Sequence, residues 1–254
     1  MLWYYKIQTA TMILIMGFFA IFVPSTSANV IAYDSITTVG TPVRLVFKTK
    51  GRFFAQGGKL VDIYLENKKL GRIMTGGDGY GFYKYTFRNS GYKELIAKSN
   101  GNRDSGLVLV MQKNEKAILI EAESGFRGSF FSEKERDASR QALESIAKTY
   151  KIIYCYKFVG KDFAKNWLSE NSFPQSVVLP WRGVEMLAAW EKRGFQIHAM
   201  IGSPALLEEA ADHVKNRFSF EETKKGETVK NWNEILERLD GQSLTDSAGE
   251  APDE

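Results

Sequence analysis

The chain has 254 residues, 44% hydrophobic and 25% charged, with a formal net charge of +4, one cysteine and two histidines. That length is enough for two modest domains, each with its own core. A single cysteine, Cys155, excludes an intramolecular disulfide, and His198 and His213 alone exclude a histidine-rich zinc site.

At the N-terminus Lys6 precedes an uncharged apolar stretch, Thr11 to Val23, followed by Pro24 and small residues up to Ala28. This is the layout of a secretory signal peptide over residues 1–28. A bilayer span needs about 20 apolar residues, so cleavage after Ala28 is expected in place of a permanent transmembrane anchor. The mature chain is then exported, to the periplasm or the extracellular space. Its charge is unevenly spread. Residues 29–116 hold fifteen Lys and Arg against seven Asp and Glu, and residues 117–254 hold eighteen against twenty-three. A basic front half suits an anionic surface, such as lipid head groups or cell-wall polymer, or a protein partner. A solvated, Lys-rich β-surface accounts for the same charge. Nucleic acid is not an expected partner.

From Pro42 to Met111 the hydrophobic pattern has period two, which predicts strands. Val43, Leu45 and Phe47 alternate with Arg44, Val46 and Lys48, and Val61, Ile63 and Leu65 with Asp62, Tyr64 and Glu66. Gly57-Gly58, Gly76-Gly77-Asp78-Gly79, Asn89-Ser90-Gly91 and Asn100-Gly101-Asn102 supply turn chemistry between them. Six or seven short strands at this spacing predict a β-sandwich over residues 29–113. The Gly76–Gly81 loop lacks the Gly-Lys-Ser/Thr ending of a phosphate cradle, and Asp78 reads as a turn residue.

After Ile120 the period changes. Ser132 to Glu135 reads as a capping box, and Ala138, Ala142, Ile146 and Ala147 continue as a helical stripe. Strands are expected at Lys151–Tyr156, Ser176–Leu179, Phe195–Ile201 and Arg217–Phe220. Helices are expected at Asp162–Glu170, Gly183–Arg193, Pro204–Val214 and Glu227–Leu239. Alternating strand and helix predicts a mainly parallel α/β sheet with helices on both faces, over residues 114–240. The two units join near Asn114–Ala117. The acidic stretch 241–254 reads as disordered. Cys155, in an apolar strand, reads as a buried structural thiol, and Trp167, Trp181, Trp190 and Trp232 as core or interface.

The strand Ala117–Ile120 ends in Glu121-Ala122-Glu123-Ser124-Gly125. Two carboxylates at the exit of a parallel strand stand where ligands of open α/β sheets sit. Glu121 and Glu123 are the candidate site residues that this position yields.

Two resemblances follow. Thr41-Pro42-Val43-Arg44-Leu45 and the stretch Leu70-Gly71 to Tyr80 resemble bacterial immunoglobulin-like domains over residues 36–112. This implies a spacer, docking or adhesion module. Residues 117–240 resemble the haloacid dehalogenase-like superfamily through Ile118–Gly125, Ile152–Tyr156 with Lys161, and Ala199-Met200-Ile201-Gly202-Ser203 before a helix. The resemblance implies a Rossmann-like fold, with Glu121 at the nucleophile position and Glu123 at the acid/base position. It places Tyr156 where a Ser or Thr hydroxyl belongs, Arg182 nearest the usual Lys, and Ser203 where a metal-binding Asp belongs. A methylene added to each acid moves its carboxylate by about 1.5 Å, and misplacement near 1 Å costs roughly a hundredfold in rate. The expectation is a phosphatase-like domain without catalysis, serving as a binding or scaffold module, with no metal or cofactor. The alternative is a magnesium-dependent phosphoesterase with Glu121 as nucleophile.

Overall fold

The computed structural model describes residues 29–52, 54–126 and 133–239. The front half forms a sandwich of two sheets. In the smaller, β1 (Asn29–Ala32), β3 (Pro42–Lys50) and β6 (Tyr80–Thr86) pair antiparallel in the order β1-β3-β6. The larger runs β2 (Ser35–Thr38), β8 (Asn102–Met111), β7 (Gly91–Ser99), β4 (Leu60–Leu65), β5 (Lys68–Met74). Period-two alternation sends Leu45, Phe47, Val61, Ile63, Leu95, Val108 and Val110 into one core between the sheets. Glu66 and Asn67, at φ 48° and 67°, make the two-residue turn between β4 and β5, the geometry that matches strand twist.

The second half is built on a six-stranded sheet of β9 (Lys116–Glu121), β10 (Lys151–Tyr156), β11 (Val177–Pro180), β12 (Gln196–Ile201), β13 (Asn216–Ser219) and β14 (Glu227–Thr228). The order is β11-β10-β9-β12-β13-β14, every pair is parallel, and β9 lies inside the sheet. The helices are α1 (Ala122–Gly125), α2 (Glu133–Thr149), α3 (Lys161–Glu170), α4 (Glu185–Glu191), α5 (Pro204–Glu209) and α6 (residues 232–239). Ile118 and Ile120 face one core with Phe126, Leu143, Ile146, Leu168 and Trp232. Ala117 and Leu119 face the other with Leu187, Trp190, Leu206 and Leu207.

That second core also contains Ile36, Leu107, Leu109 and Met111 from β2 and β8. Strand β8 is therefore buried on both faces: Val108 and Val110 point into the sandwich, Leu109 and Met111 into the junction. Polar ties reinforce the seam. Asp34, its side chain fully buried, accepts from the Leu107 and Val178 N–H groups at 2.9 and 2.8 Å and pairs with Lys165 at 2.8 Å. Lys161 donates to the Ala32 carbonyl at 2.8 Å and meets Asp104 at 3.1 Å.

The expected fold class needs correction. The parallel sheet has helices in both of its cores, but a haloacid dehalogenase-like α/β fold does not describe this strand-rich chain. Strand outweighs helix among the described residues, α1, α4 and α5 are short, and part of one sheet face is closed by the sandwich. The helix expected from Glu227 begins as strand β14 and becomes helical only at residue 232. The expected signal segment, the acidic tail after Asp240 and the capping-box Ser132 lie outside the described residues. No helix among the described residues is long and apolar enough to cross a membrane.

Candidate functional site

The five residues singled out in the sequence gather where the parallel strands end. Glu121 closes β9 and is 2% exposed. Its Oε2 accepts the Ser203 N–H at 2.6 Å and the Ser124 hydroxyl. Gly202 lies so close that a Cβ there would stand 3.2 Å from Glu121 Oε2. Glu123, two residues on, accepts three consecutive backbone N–H groups with one oxygen. Lys157, Phe158 and Val159 donate to Oε1 at 2.9, 2.8 and 2.9 Å. Successive N–H groups at a strand exit form an anion-binding concavity, and here the chain's own carboxylate fills it. The other oxygen, Oε2, is buried without a hydrogen-bond partner among the described residues.

Tyr156 ends β10, and its carbonyl accepts the Trp181 N–H at 2.8 Å. Burial raises the Tyr156 phenol, and the nearby Arg182 guanidinium opposes that rise. Arg182 itself is exposed. Beside it Glu209 accepts Trp181 Nε1 at 2.9 Å and Lys157 Nζ at 3.1 Å, and these two bonds hold its carboxyl below the usual range. Among the described residues no three His, Cys, Asp or Glu side chains group as metal ligands. Both strand-end acids are thus committed to backbone donors, Glu121 on one side of β9 and Glu123 on the other. Each ties β9 to the end of a neighbouring strand, β12 and β10 respectively.

A second array was not singled out in the sequence. On the small sheet of the sandwich, Arg44, Val46, Lys48 and Lys50 of β3 alternate with buried Val43, Leu45, Phe47 and Thr49. Register places Lys84 opposite Arg44, Phe82 opposite Val46, and Tyr80 opposite Lys48. Ile31 and Asn29 of β1 flank Lys48 and Lys50. Among the described residues of β1, β3 and β6, the side chains on this outer face include four cations and no acid. Its rings stand nearly parallel: Tyr33 and Tyr80 at 6.4 Å and 21°, Tyr80 and Phe82 at 6.5 Å and 8°. Cations lie over them, Arg44 over Phe82 and Lys48 over Tyr80, each at 4.7 Å from the centroid. Lys48 also donates to the Tyr80 hydroxyl at 3.3 Å. Burial, then the neighbouring Tyr80, raises the Tyr33 phenol, so it stays a neutral donor at physiological pH. Period-two alternation was visible in the sequence; that β6 lays its aromatics beside the β3 cations depended on strand pairing.

No protein-family model and no curated protein matches this chain. Solved structures similar to part of it are β-sandwich domains. The CARDB domain of a Pyrococcus furiosus protein shares 14% identity at a TM-score of 0.27, over 34% of this chain and 94% of that one. The D0-D1 domain of intimin shares 16% at 0.28, over 35% of this chain and 51% of its own. Domains 4 and 5 of the S-layer protein SbsC share 13% at 0.25, over 33% and 50%. The haloacid dehalogenase-like assignment is therefore withdrawn: no family model carries it, and strand outweighs helix among the described residues. With it go the phosphatase-like scaffold, the magnesium-dependent phosphoesterase and the hydrolase-like description.

Proposed function

We propose that this chain is a polyanion-binding protein whose docking surface is the outer face of the β1-β3-β6 sheet. The observation that carries the reading is the composition of that face: Arg44, Lys48, Lys50 and Lys84 with Tyr33, Tyr80 and Phe82, and no carboxylate among them. Cations spread over a flat, three-stranded surface attract a chain of repeated negative charges over distances near the Debye length, about 8 Å at physiological salt. The ring faces are covered by the protein's own cations, so the rings offer edges and hydroxyl groups more than stacking surfaces. That favours an acidic polysaccharide, with carboxylates along its length, over the unstacked bases of a nucleic acid. The signal-like layout from Lys6 to Ala28 supports action outside the cytoplasm, where such polymers are met.

The test is retention of the intact protein on immobilised polygalacturonate, with neutral dextran as control. The expected result is binding that weakens steadily with salt and is lost in the double reversal Lys48→Glu, Lys84→Glu. Equal retention of wild type and reversal, or none by either, overturns the reading. So does preference for anionic lipid vesicles or single-stranded DNA over the acidic glycan.

A further inference from the structure

A cavity of about 730 Å³ opens on the seam between the sandwich and the parallel sheet, away from the basic face. Its size lies within the roughly 300–1,000 Å³ of small-molecule sites, which favour junctions of this kind. The floor is apolar, formed by Leu107, Leu168, Phe173 and Val178, all buried. At one wall the Tyr92 ring, 39% exposed, turns toward Ser176, its hydroxyl 3.4 Å from the serine oxygen.

The polar lining decides what could enter. The charged groups are already answered: Lys165 by Asp34 at 2.8 Å, Glu66 by Lys93 at 3.2 Å, Glu94 by Arg103 at 3.8 Å. A cationic ligand would have to displace Lys93 or Arg103, and an anionic one would meet Glu66 and Glu94. What remains is neutral. Asn67, Ser105, Asn166 and Gln175 line the cavity, and all four are exposed and open to a ligand. Two chain segments from each unit supply them. Asn67 sits in the β4–β5 turn and Ser105 in β8, while Asn166 is on α3 and Gln175 follows it.

We infer that this cavity is a binding site for a neutral, polyhydroxylated ligand, a short saccharide. Amide groups both donate and accept, which matches adjacent sugar hydroxyls. The exposed Tyr92 ring and the Phe173 floor match the C–H face of a pyranose. The site is independent of the basic face: its ligand carries no charge and its affinity is insensitive to salt.

The test uses the intact protein and three neutral disaccharides, cellobiose, maltose and N,N′-diacetylchitobiose. The side-chain amide resonances of Asn67, Asn166 and Gln175 are followed by NMR during titration. At least one sugar should shift all three saturably, with the same affinity at low and high salt. Tyr92→Ala and, as a separate surface change, Asn166→Ala should each weaken it about tenfold, with thermal midpoints confirming that both variants fold. Absence of any shift with all three sugars overturns the inference. Shifts produced by spermidine but not by sugars overturn it too, as does undiminished affinity in both variants.

Discussion

Lys165 on α3 and Asp34 between β1 and β2 meet at 2.8 Å across 131 residues of chain, and the aspartate side chain is wholly buried. Asp34 also receives the Leu107 and Val178 N–H groups, so one carboxylate joins β8 of the sandwich to β11 of the parallel sheet. Removing one member of a buried, hydrogen-bonded ion pair costs about 3–5 kcal/mol. Asp34→Ala should lose that much in urea unfolding, because it strands two backbone donors and a lysine. Lys165→Ala, whose ammonium is partly exposed, should lose less.

The junction core predicts cooperativity. Ile36, Leu107, Leu109 and Met111 belong to the same apolar cluster as Leu119, Leu187 and Trp190. The chain should unfold in one transition by both tryptophan fluorescence and far-ultraviolet circular dichroism. Leu109→Ala, which leaves a cavity at that junction, should cost about 2–5 kcal/mol and lower both signals at the same midpoint. The fragment of residues 29–113, with that face exposed, should be less stable than the sandwich within the intact chain.

Glu123 makes a local prediction. Its Oε1 satisfies three N–H groups that would otherwise close the β10 exit against nothing. Hydrogen bonds to a charged acceptor contribute roughly 1.5–3 kcal/mol. Glu123→Ala should accelerate amide exchange at Lys157, Phe158 and Val159 well before it alters the core amides of β9. Glu123→Gln, which keeps an acceptor but not the charge, should fall between.

Glu209 gives the pH dependence. The Trp181 hydrogen bond holds its carboxyl low, burial opposes it, and the Lys157 hydrogen bond and charge add to the lowering. A depressed folded value means the stabilisation is complete above the unfolded glutamate value, about 4.3, and is lost as pH falls through the folded one. The difference in thermal midpoint between wild type and Glu209→Gln should therefore be largest near neutrality and shrink in acid.

Cys155 is fully buried in the parallel sheet, and burial, with Glu121 and Glu123 nearby, pushes its thiol well up. Thiolate is the reactive form. Modification by a thiol reagent should be negligible in the native protein and should follow the unfolding rate as denaturant is added.

Much of this architecture is legible in the sequence because it rests on alternation. The strands from Pro42 onward, and β9 to β13, follow from period-two runs and unbroken apolar stretches ended by turn residues. Strands β1 and β2 were not legible: each has four residues, and their burial comes from β3 and β8, far along the chain. The gathering of Glu121, Glu123, Tyr156, Arg182 and Ser203 at strand ends follows from the strand positions. What those acids touch does not, because the Glu123 donors are backbone groups placed by the β10 exit. The basic face and the cavity were hidden for a related reason. Each is assembled by pairing or docking of segments whose composition, taken singly, is ordinary.

Strand β2 runs parallel to β8, pairing Ser35 with Val108 through Thr38 with Met111, and β8 leads into β9 through the short turn after Met111. A pull between the start of the sandwich and the second unit would draw these neighbours in opposite directions along their own axes. Their hydrogen bonds would be loaded together, in shear, instead of one after another as in unzipping. The protein should therefore resist stretching along its length more strongly than its thermal stability alone suggests.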